Sequence, residues 1–326
     1  MTRDPVDAVI TWVDGNDKAH SDKRTNYLAN TDAVNPEASA PTRFNQSGEI
    51  TYCVKSLLRF APWLKTIHIV TDAQTPSIFR QFAGTPLEER VRIVDHREIF
   101  LGFEQYLPTF NSLTIETMLW RIKDVANNFI YFNDDVSIIR PIAYDDFFQG
   151  DKIVLRGQWK AMTDRKLYNY WKKCLKFILK NVQHSAKREL YQIVQENSAK
   201  LVGWTEKYFS LPHVPLPVKK QTFEDFFKIH PDMLLNNIRY AFRNNQQFMP
   251  LLLAQNLEII KDNVVFDNRL KATYVNGACH AARKIQRRLA SADRTDNAAF
   301  VCMQSIDLAP EPVQKLLFEW LKKRIG

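Results

Sequence analysis

The first 155 residues alternate short β-rich runs with segments of helical spacing. Helical spacing covers Glu49–Phe60, and a second helix is predicted over Ser112–Ile122 with Ser112 as its cap. The predicted strands are Val6–Val13, Ile67–Thr71, Val91–Val94 and Phe129–Phe132. Strands separated by helices predict an α/β fold, with a mostly parallel sheet covered by helices on both faces.

Acidic residues follow two of these strands. Asp14 comes after the first strand, and Asp134 and Asp135 come directly after the fourth. Ligands of such sheets bind beyond the carboxyl ends of the strands, so three carboxylates meet at one rim if the two strands are neighbours. Mg²⁺ and Mn²⁺ prefer oxygen ligands and leave room for substrate phosphates. The Asp134–Asp135 pair therefore predicts a cation site for a sugar diphosphate, and the alternative is a turn with Asx hydrogen bonds.

Two further segments have the composition of ligand-binding loops. Gly15 after Asp14 allows close approach of the backbone to a ligand, or forms a turn. The string LPTFNSLTIE brings Asn111 and Ser112 to a helix N-terminus, which can receive a phosphate or can be a capped helix without a ligand.

Three basic or titratable residues in the second half are candidates for anion binding or proton transfer. His213 lies in a proline-rich, aliphatic loop. Arg239 and Arg243 are four residues apart in a region of helical pattern, so either could reach an anion.

The formal net charge is +9, which suits an anionic partner such as nucleic acid, a membrane surface or a phosphorylated substrate. Much of the excess lies between Arg156 and Lys200, where Leu167, Tyr170 and Trp171 begin an amphipathic pattern with lysines between the apolar positions. This segment is predicted to be a basic helical insertion. It is either an ordinary surface helix or one that binds a polyanion or an anionic membrane.

Several protein classes are excluded by missing motifs. The sequence has no GxGxxG, GxxxxGK[ST], HExxH or GxSxG string and no common nucleic-acid-binding motif. The four cysteines form no CxxC pair.

No apolar run of ~18 residues and no signal-peptide pattern occur, so we expect a cytoplasmic protein, with the insertion as its contact with the inner membrane face. The predicted parts are an α/β core at 1–155, the insertion at 156–210 and a C-terminal part at 211–326 that completes the site.

Four ordered blocks resemble the Stealth family of capsule sugar-1-phosphate transferases. TWVDG lies in the first block, LPTFNS and YFNDDV lie in the second, His213-Val-Pro-Leu-Pro opens the third, and Phe300-Val-Cys-Met opens the fourth. The sequence departs from the family pattern at Gln46–Ser47, at Thr51 and at Gln304–Ser305.

The resemblance implies a glycosyltransferase-A-like, Rossmann-like core. It also implies transfer of a hexose-1-phosphate from a nucleotide sugar to a saccharide hydroxyl, with release of a nucleoside monophosphate. Asp134 and Asp135 would hold Mg²⁺ or Mn²⁺, and the base would be His213 or one of these two aspartates. The other residues that it places around the active site are Asp14, Gly15, Arg43, Asn111, Ser112, Asn133 and Arg243.

Two other functions remain open from the sequence. The first is an ordinary glycosyltransferase that releases a nucleoside diphosphate, and the second is a non-catalytic subunit that binds a polyanion. Nucleic acid is not an expected partner, because only the net charge favours it.

Overall fold

The computed structural model describes residues 3–30, 44–163 and 183–326. Its strands are β1 Val6–Thr11, β2 Ile67–Thr71, β3 Val91–Asp95, β4 Asn128–Asn133, β5 Val136–Ile138, β6 Phe148–Gln149, β7 Lys152–Leu155, β8 Gln158–Ala161, β9 Lys207–Ser210, β10 Leu216–Lys219, β11 Val264–Phe266, β12 Lys271–Asn276 and β13 Ala298–Gln304. Its helices are α1 Lys18–Ala29, α2 Glu49–Phe60, α3 His96–Ile99, α4 Ser112–Glu116, α5 Gln183–Leu201, α6 Lys220–Ile229, α7 Pro231–Ile238, α8 Pro250–Ile260, α9 Ala282–Arg294 and α10 Glu311–Ile325.

The central sheet has the strand order β10-β4-β1-β2-β3. β1, β2, β3 and β4 are mutually parallel, and β10 is antiparallel to β4. The middle strands are buried on both faces, as the near-continuous apolar runs of β1 and β4 require. The predicted α/β class with a mostly parallel sheet is therefore confirmed.

Asp7 at the start of β1 joins three parts of this sheet. Its carboxylate accepts hydrogen bonds from the backbone N–H groups of Thr66 and Ala126, and it is 3.1 Å from the His68 Nε2 atom. Asp7 and His68 are both buried, so the bonds offset the cost of burying these polar groups. They hold β1 in place against β2 and against the loop before β4.

The C-terminal part of the chain completes sheets that the N-terminal part begins. β10 pairs with β4, β11 pairs with β7, and β13 lies between β12 and β5. These sheets pair strands from different parts of the predicted three-part division, and that division stays a prediction. Within the described ranges, no helix combines the length and hydropathy needed to cross a membrane.

Local details of the helices differ from the sequence pattern. The helix at Ser112 ends at Glu116, and Asn111 rather than Ser112 caps it, because the Asn111 side chain accepts from the N–H of Leu113. α7 ends at Ile238, so Arg239 and Arg243 follow the helix instead of sharing one of its faces. The central part of the predicted basic helix lies outside the described residues.

Glycine is required at position 15 because the backbone of a distant residue packs closely against it. Its N–H donates to the backbone oxygen of Phe44 at 2.7 Å, and a Cβ atom at this position would lie 2.5 Å from that oxygen. The close backbone approach predicted for Gly15 is therefore made by Phe44, and the assignment of Gly15 to substrate binding stays a prediction.

We expect Gly15→Ala to lower the free energy of unfolding by about 1–3 kcal/mol, because the added methyl group must displace backbone. Urea denaturation measures this loss. Asn16→Ala is the control, since Asn16 is exposed and its backbone N–H bond to Asp14 remains. Equal stability of the two variants would contradict the packing argument.

Candidate active site

The parallel pairing of β1 and β4 positions the predicted acids at one edge of the sheet. Thr11 is the register partner of Asn133, so the chain leaves both strands at the same level. Asp14 follows three residues after Thr11, and Asp134 and Asp135 follow directly after Asn133. The carboxyl edge of the sheet is therefore where the chemistry predicted from the sequence is concentrated.

Asp134 and Asp135 form the acidic centre of this edge. Burial raises the pKa of Asp134 well above its usual range, and the neighbouring Asp135 and Glu49 carboxylates raise it further. Burial also raises the pKa of Asp135, against the opposing effects of His213 and of hydrogen bonds from Cys302 and Gln304. The Oδ1 atom of Asp135 is buried without a hydrogen-bond partner. One carboxylate oxygen of this centre is therefore an open acceptor.

Asp14 is linked to this centre through Gln46 and the start of α2. Gln46 donates to the Asp14 carboxylate at 3.3 Å and accepts from the N–H of Gly48, the residue before α2. Gln74 holds the Asp14 backbone from the other side, with two hydrogen bonds of 2.9 Å. The departure from the family pattern at Gln46 thus lies in contact with a predicted catalytic residue.

His213 lies between two tyrosine rings. Its imidazole is stacked on Tyr274 with ring centroids 5.0 Å apart and on Tyr191 with centroids 5.9 Å apart. Burial lowers the pKa of His213, while the Asp135 carboxylate raises it. The imidazole is therefore held beside the acidic pair, with neutral imidazole favoured by burial.

Arg243 supplies positive charge on another side of the same edge. Its Nη2 atom donates to the Ser112 hydroxyl at 2.6 Å. Burial raises the pKa of Glu116 to about 7, against the effects of Arg243 and Ser112. The Tyr131 hydroxyl lies 2.8 Å from the Thr11 hydroxyl, 2.9 Å from Asn133 Oδ1 and 3.3 Å from Glu116 Oε1.

Tyr131 lies between the acidic and basic sides of this edge. Burial raises its pKa, and the charges of Glu116, Asp134 and Arg243 all act on it. Ser112, Asn133, Arg243 and Asp134 therefore lie around Tyr131, and their roles in an active site stay predictions.

Asn111 and Arg43 are placed differently. Asn111 is fully buried, and its side-chain N–H₂ donates to the Tyr240 oxygen and to Gln247, while its oxygen caps α4. Its contacts are thus within the protein, and its role in substrate binding stays a prediction. Arg43 lies outside the described residues.

Two buried thiols flank the aspartate pair. Cys302 Sγ lies 3.6 Å from Asp135 Oδ2, and Cys53 Sγ lies 3.9 Å from the backbone oxygen of Asn133. Burial raises the pKa of both thiols, and the nearby aspartates add to the effect. They are therefore protonated donors at this edge and not nucleophiles.

Sequence reasoning missed several residues of this site. Glu116 stands in the string LPTFNSLTIE and Glu49 begins the predicted helix Glu49–Phe60, so a search for additional acids in these segments could have found them. Gln304 was noted only as a departure from the family pattern, and Tyr191 and Tyr274 had no local signal. They meet the site only because α5, β12 and β13 pack beside its edge.

The aspartate pair fits a Mg²⁺ or Mn²⁺ ion whose other ligands come from water and a substrate. Among the described residues, no three His, Cys, Asp or Glu side chains form a complete metal cluster. Mg²⁺ is commonly bound through one or two carboxylates, with water and phosphate oxygens as the other ligands. The unpartnered Asp135 Oδ1 atom and the raised pKa values are the features that a cation would relieve.

The sheet and its edge define an α/β protein with acidic, imidazole and guanidinium groups at the carboxyl ends of parallel strands. Residues 4–32 match Stealth protein CR1, conserved region 1, and residues 43–155 match Stealth protein CR2, conserved region 2. The chain therefore contains two conserved regions of the Stealth family.

Similar curated proteins are polysaccharide phosphotransferases by name. The exopolysaccharide phosphotransferase of Streptomyces coelicolor is 43% identical over 145 residues, which are 44% of this chain and 25% of that protein. The capsular polysaccharide phosphotransferase LcbA of Aeromonas hydrophila is 30% identical over 244 residues, which are 74% of this chain and 62% of that protein. The matched part thus spans less than two thirds of these relatives.

Solved glycosyltransferase structures align at a lower level of similarity. The galactosyltransferase LgtC is 12% identical with a TM-score of 0.41, covering 98% of this chain and 96% of that chain. The bifunctional glycosyltransferase WbbM is 10% identical with a TM-score of 0.45, covering 100% of this chain and 50% of that chain. At these scores the similarity carries no argument about the site.

We expect Glu116→Gln to stabilise the protein above pH 7 and to have little effect at pH 5. The pKa of Glu116 is about 7 in the fold against an ordinary 4.5, so folding favours the protonated form. The cost of ionising this buried group grows as pH rises from 4.5 to 7 and is then constant, at roughly 3 kcal/mol. Urea denaturation between pH 5 and pH 8 measures the difference.

Glu89→Gln is the matched control, because Glu89 is exposed. A stability difference for Glu116→Gln that does not change with pH would contradict the raised pKa of Glu116.

Proposed function

We propose that this chain transfers a hexose-1-phosphate, such as an N-acetylhexosamine-1-phosphate, from a nucleotide sugar to a saccharide hydroxyl. The acceptor would be a growing capsular or other surface polysaccharide, and the released product a nucleoside monophosphate. The names of the Stealth relatives support a phosphotransferase in polysaccharide synthesis. The observation that carries the proposal is the aspartate pair, with its unpartnered carboxylate oxygen beside His213.

Asp134 and Asp135 would hold the divalent cation, which would supply positive charge to the diphosphate. Phosphoryl transfer depends mainly on positioning and on neutralising charge, so the remaining task of the protein is to orient the reactants. Arg243, already directed at the Ser112 hydroxyl, would bind a non-bridging oxygen of the transferred phosphoryl group. Asp14, fixed by Gln46 and Gln74, would support the nucleotide side.

His213 would accept the proton of the acceptor hydroxyl. The new bond joins the hydroxyl oxygen to the phosphorus bearing the sugar, and the broken bond joins that phosphorus to the bridging oxygen. The nucleoside monophosphate leaves with the bonding electrons. Burial favours the neutral imidazole that this role requires, and the two tyrosine rings hold it in place. The alternative assigns the base role to one of the two aspartates.

We expect Asp134→Asn to reduce release of nucleoside monophosphate by at least 10²-fold in the presence of Mg²⁺. Asn keeps the shape of Asp134 but removes the charge that would hold the cation.

His213→Gln should lower the rate of nucleoside monophosphate release about 10²–10⁴-fold if His213 is the general base. Ion-exchange chromatography of the products from a screen of nucleotide sugars and oligosaccharide acceptors measures both.

Asp296→Asn is the control for loss of one exposed carboxylate. Wild-type turnover by folded Asp134→Asn would refute the metal assignment. A nucleoside diphosphate as product would favour an ordinary glycosyltransferase. Absence of any nucleotide release would favour a non-catalytic subunit that binds a polyanion.

The basic insertion, whose centre lies outside the described residues, is proposed to contact the anionic polymer or an anionic membrane. Reversing Lys172, Lys173 and Lys176 to Glu should weaken binding to the polymer or to phosphatidylglycerol vesicles, most strongly at low salt, because screening weakens such contacts. Cosedimentation measures this. Reversal of Arg283, Lys284 and Arg287 is the control, since it changes net charge equally. Unchanged binding at low salt would contradict the proposal.

A further inference from the structure

A cavity of about 500 Å³ opens beside the active site, between α5, α7 and the loop of residues 239–249. Asn197 and Lys200 of α5 line one wall, and Met233 and Asn236 of α7 line another. Its volume is within the range of small-molecule sites, which is ~300–1,000 Å³.

The lining combines amide groups with positive charge. The exposed side chains of Asn236, Asn245 and Gln246 face it, and Arg239 and Lys200 are its charged residues. No Asp or Glu is among the lining residues of this described region. Amides both donate and accept hydrogen bonds, as paired hydroxyl groups require, and the Arg239 guanidinium in a lining without Asp or Glu favours an anionic ligand.

Arg239, Tyr240 and Gln246 form an ordered wall of this cavity. Arg239 Nη2 lies 2.6 Å from the Tyr240 hydroxyl, which donates to Gln246 Oε1 at 2.5 Å. The Arg239 guanidinium also stacks over the Tyr240 ring, 4.8 Å from its centroid. These contacts reduce the freedom of the arginine, so less conformational entropy is lost when it binds an anion.

The cavity is connected to the active site through two elements. The loop that carries Arg239 also carries Arg243, and Asn111 holds it by a hydrogen bond to the Tyr240 oxygen. α5 places Tyr191 against His213, and Asn197 and Lys200 follow six to nine residues later. At ~1.5 Å per residue, these positions are roughly 9–14 Å apart along the helix axis.

We propose that this cavity binds an acidic sugar unit, bearing a carboxylate or a phosphate, of the saccharide acceptor. Binding of the acidic sugar follows from the lining alone, whereas its place in an acceptor rests on the proposed function. Arg239 would pair with the acid group, and the amides of Asn236 and Asn245 would bind hydroxyl groups. A sugar unit bound here would position the saccharide that extends from the reacting hydroxyl.

The test uses the full chain labelled with ¹³C at its methionine methyl groups. Met233 lines the cavity and is 36% exposed, whereas Met118 and Met303 are buried elsewhere. Met233→Leu assigns its signal. Glucuronic acid and glucose 1-phosphate should shift the Met233 signal with saturation, and glucose should shift it much less.

Arg239→Gln should weaken this binding about tenfold, because a hydrogen bond between charged groups is lost. Lys228→Gln is the control, since Lys228 is exposed and does not line the cavity. An unchanged Met233 signal at roughly 10 mM of both acidic sugars would refute the site, and so would equal affinity in Arg239→Gln.

The measurement needs no nucleotide sugar, so it is independent of the proposed reaction. A saturating Met233 shift without any transfer activity would retain the saccharide site and reject the transferase. With an active enzyme, Arg239→Gln should raise KM for an acidic oligosaccharide acceptor about tenfold without a comparable change in KM for the donor. A larger change for the donor would place the arginine on the nucleotide side and overturn the proposal.

Discussion

The parallel pairing of β1 with β4 is the constraint on which the site depends. It brings the chain segments after Thr11 and Asn133 to one edge, although 122 positions separate these residues in the sequence. The buried Asp7 carboxylate stabilises this arrangement from the opposite end, through its contacts with Thr66, His68 and Ala126. A shift of register would separate the acids and expose apolar side chains, so packing and site geometry favour the same pairing.

The electrostatics of the edge are arranged for a charged ligand. Asp135 raises the pKa values of Asp134 and Glu49, and Glu49 also raises that of Asp134, while the charge of Arg243 acts on the neighbouring Tyr131. A cation bound to a substrate phosphate would compensate both charges, because the carboxylates would gain positive charge and the guanidinium would gain an anionic partner. In the free protein, burial makes ionisation of these acidic groups unfavourable.

The sequence predicted the parts of the fold that have strong local patterns. β2 and α2 have the predicted bounds, because apolar spacing and the proline after α2 define them locally. β10 was missed because Pro217 and Lys219 interrupt its pattern, and only pairing with β4 makes it a strand. The tyrosines around His213 could not be predicted for a similar reason, since packing of distant elements brings them together.

If His213 is the general base as proposed, its stacking on Tyr191 and Tyr274 would also restrict the direction of proton transfer. The two tyrosine rings contact the faces of the imidazole, and the nitrogen atoms of an imidazole form hydrogen bonds at the ring edge. The lone pair that accepts a proton lies in the ring plane, and an incoming alcohol must therefore approach within that plane. In the proposed reaction, the two ring contacts would therefore favour acceptors that present the hydroxyl group within the plane of the imidazole.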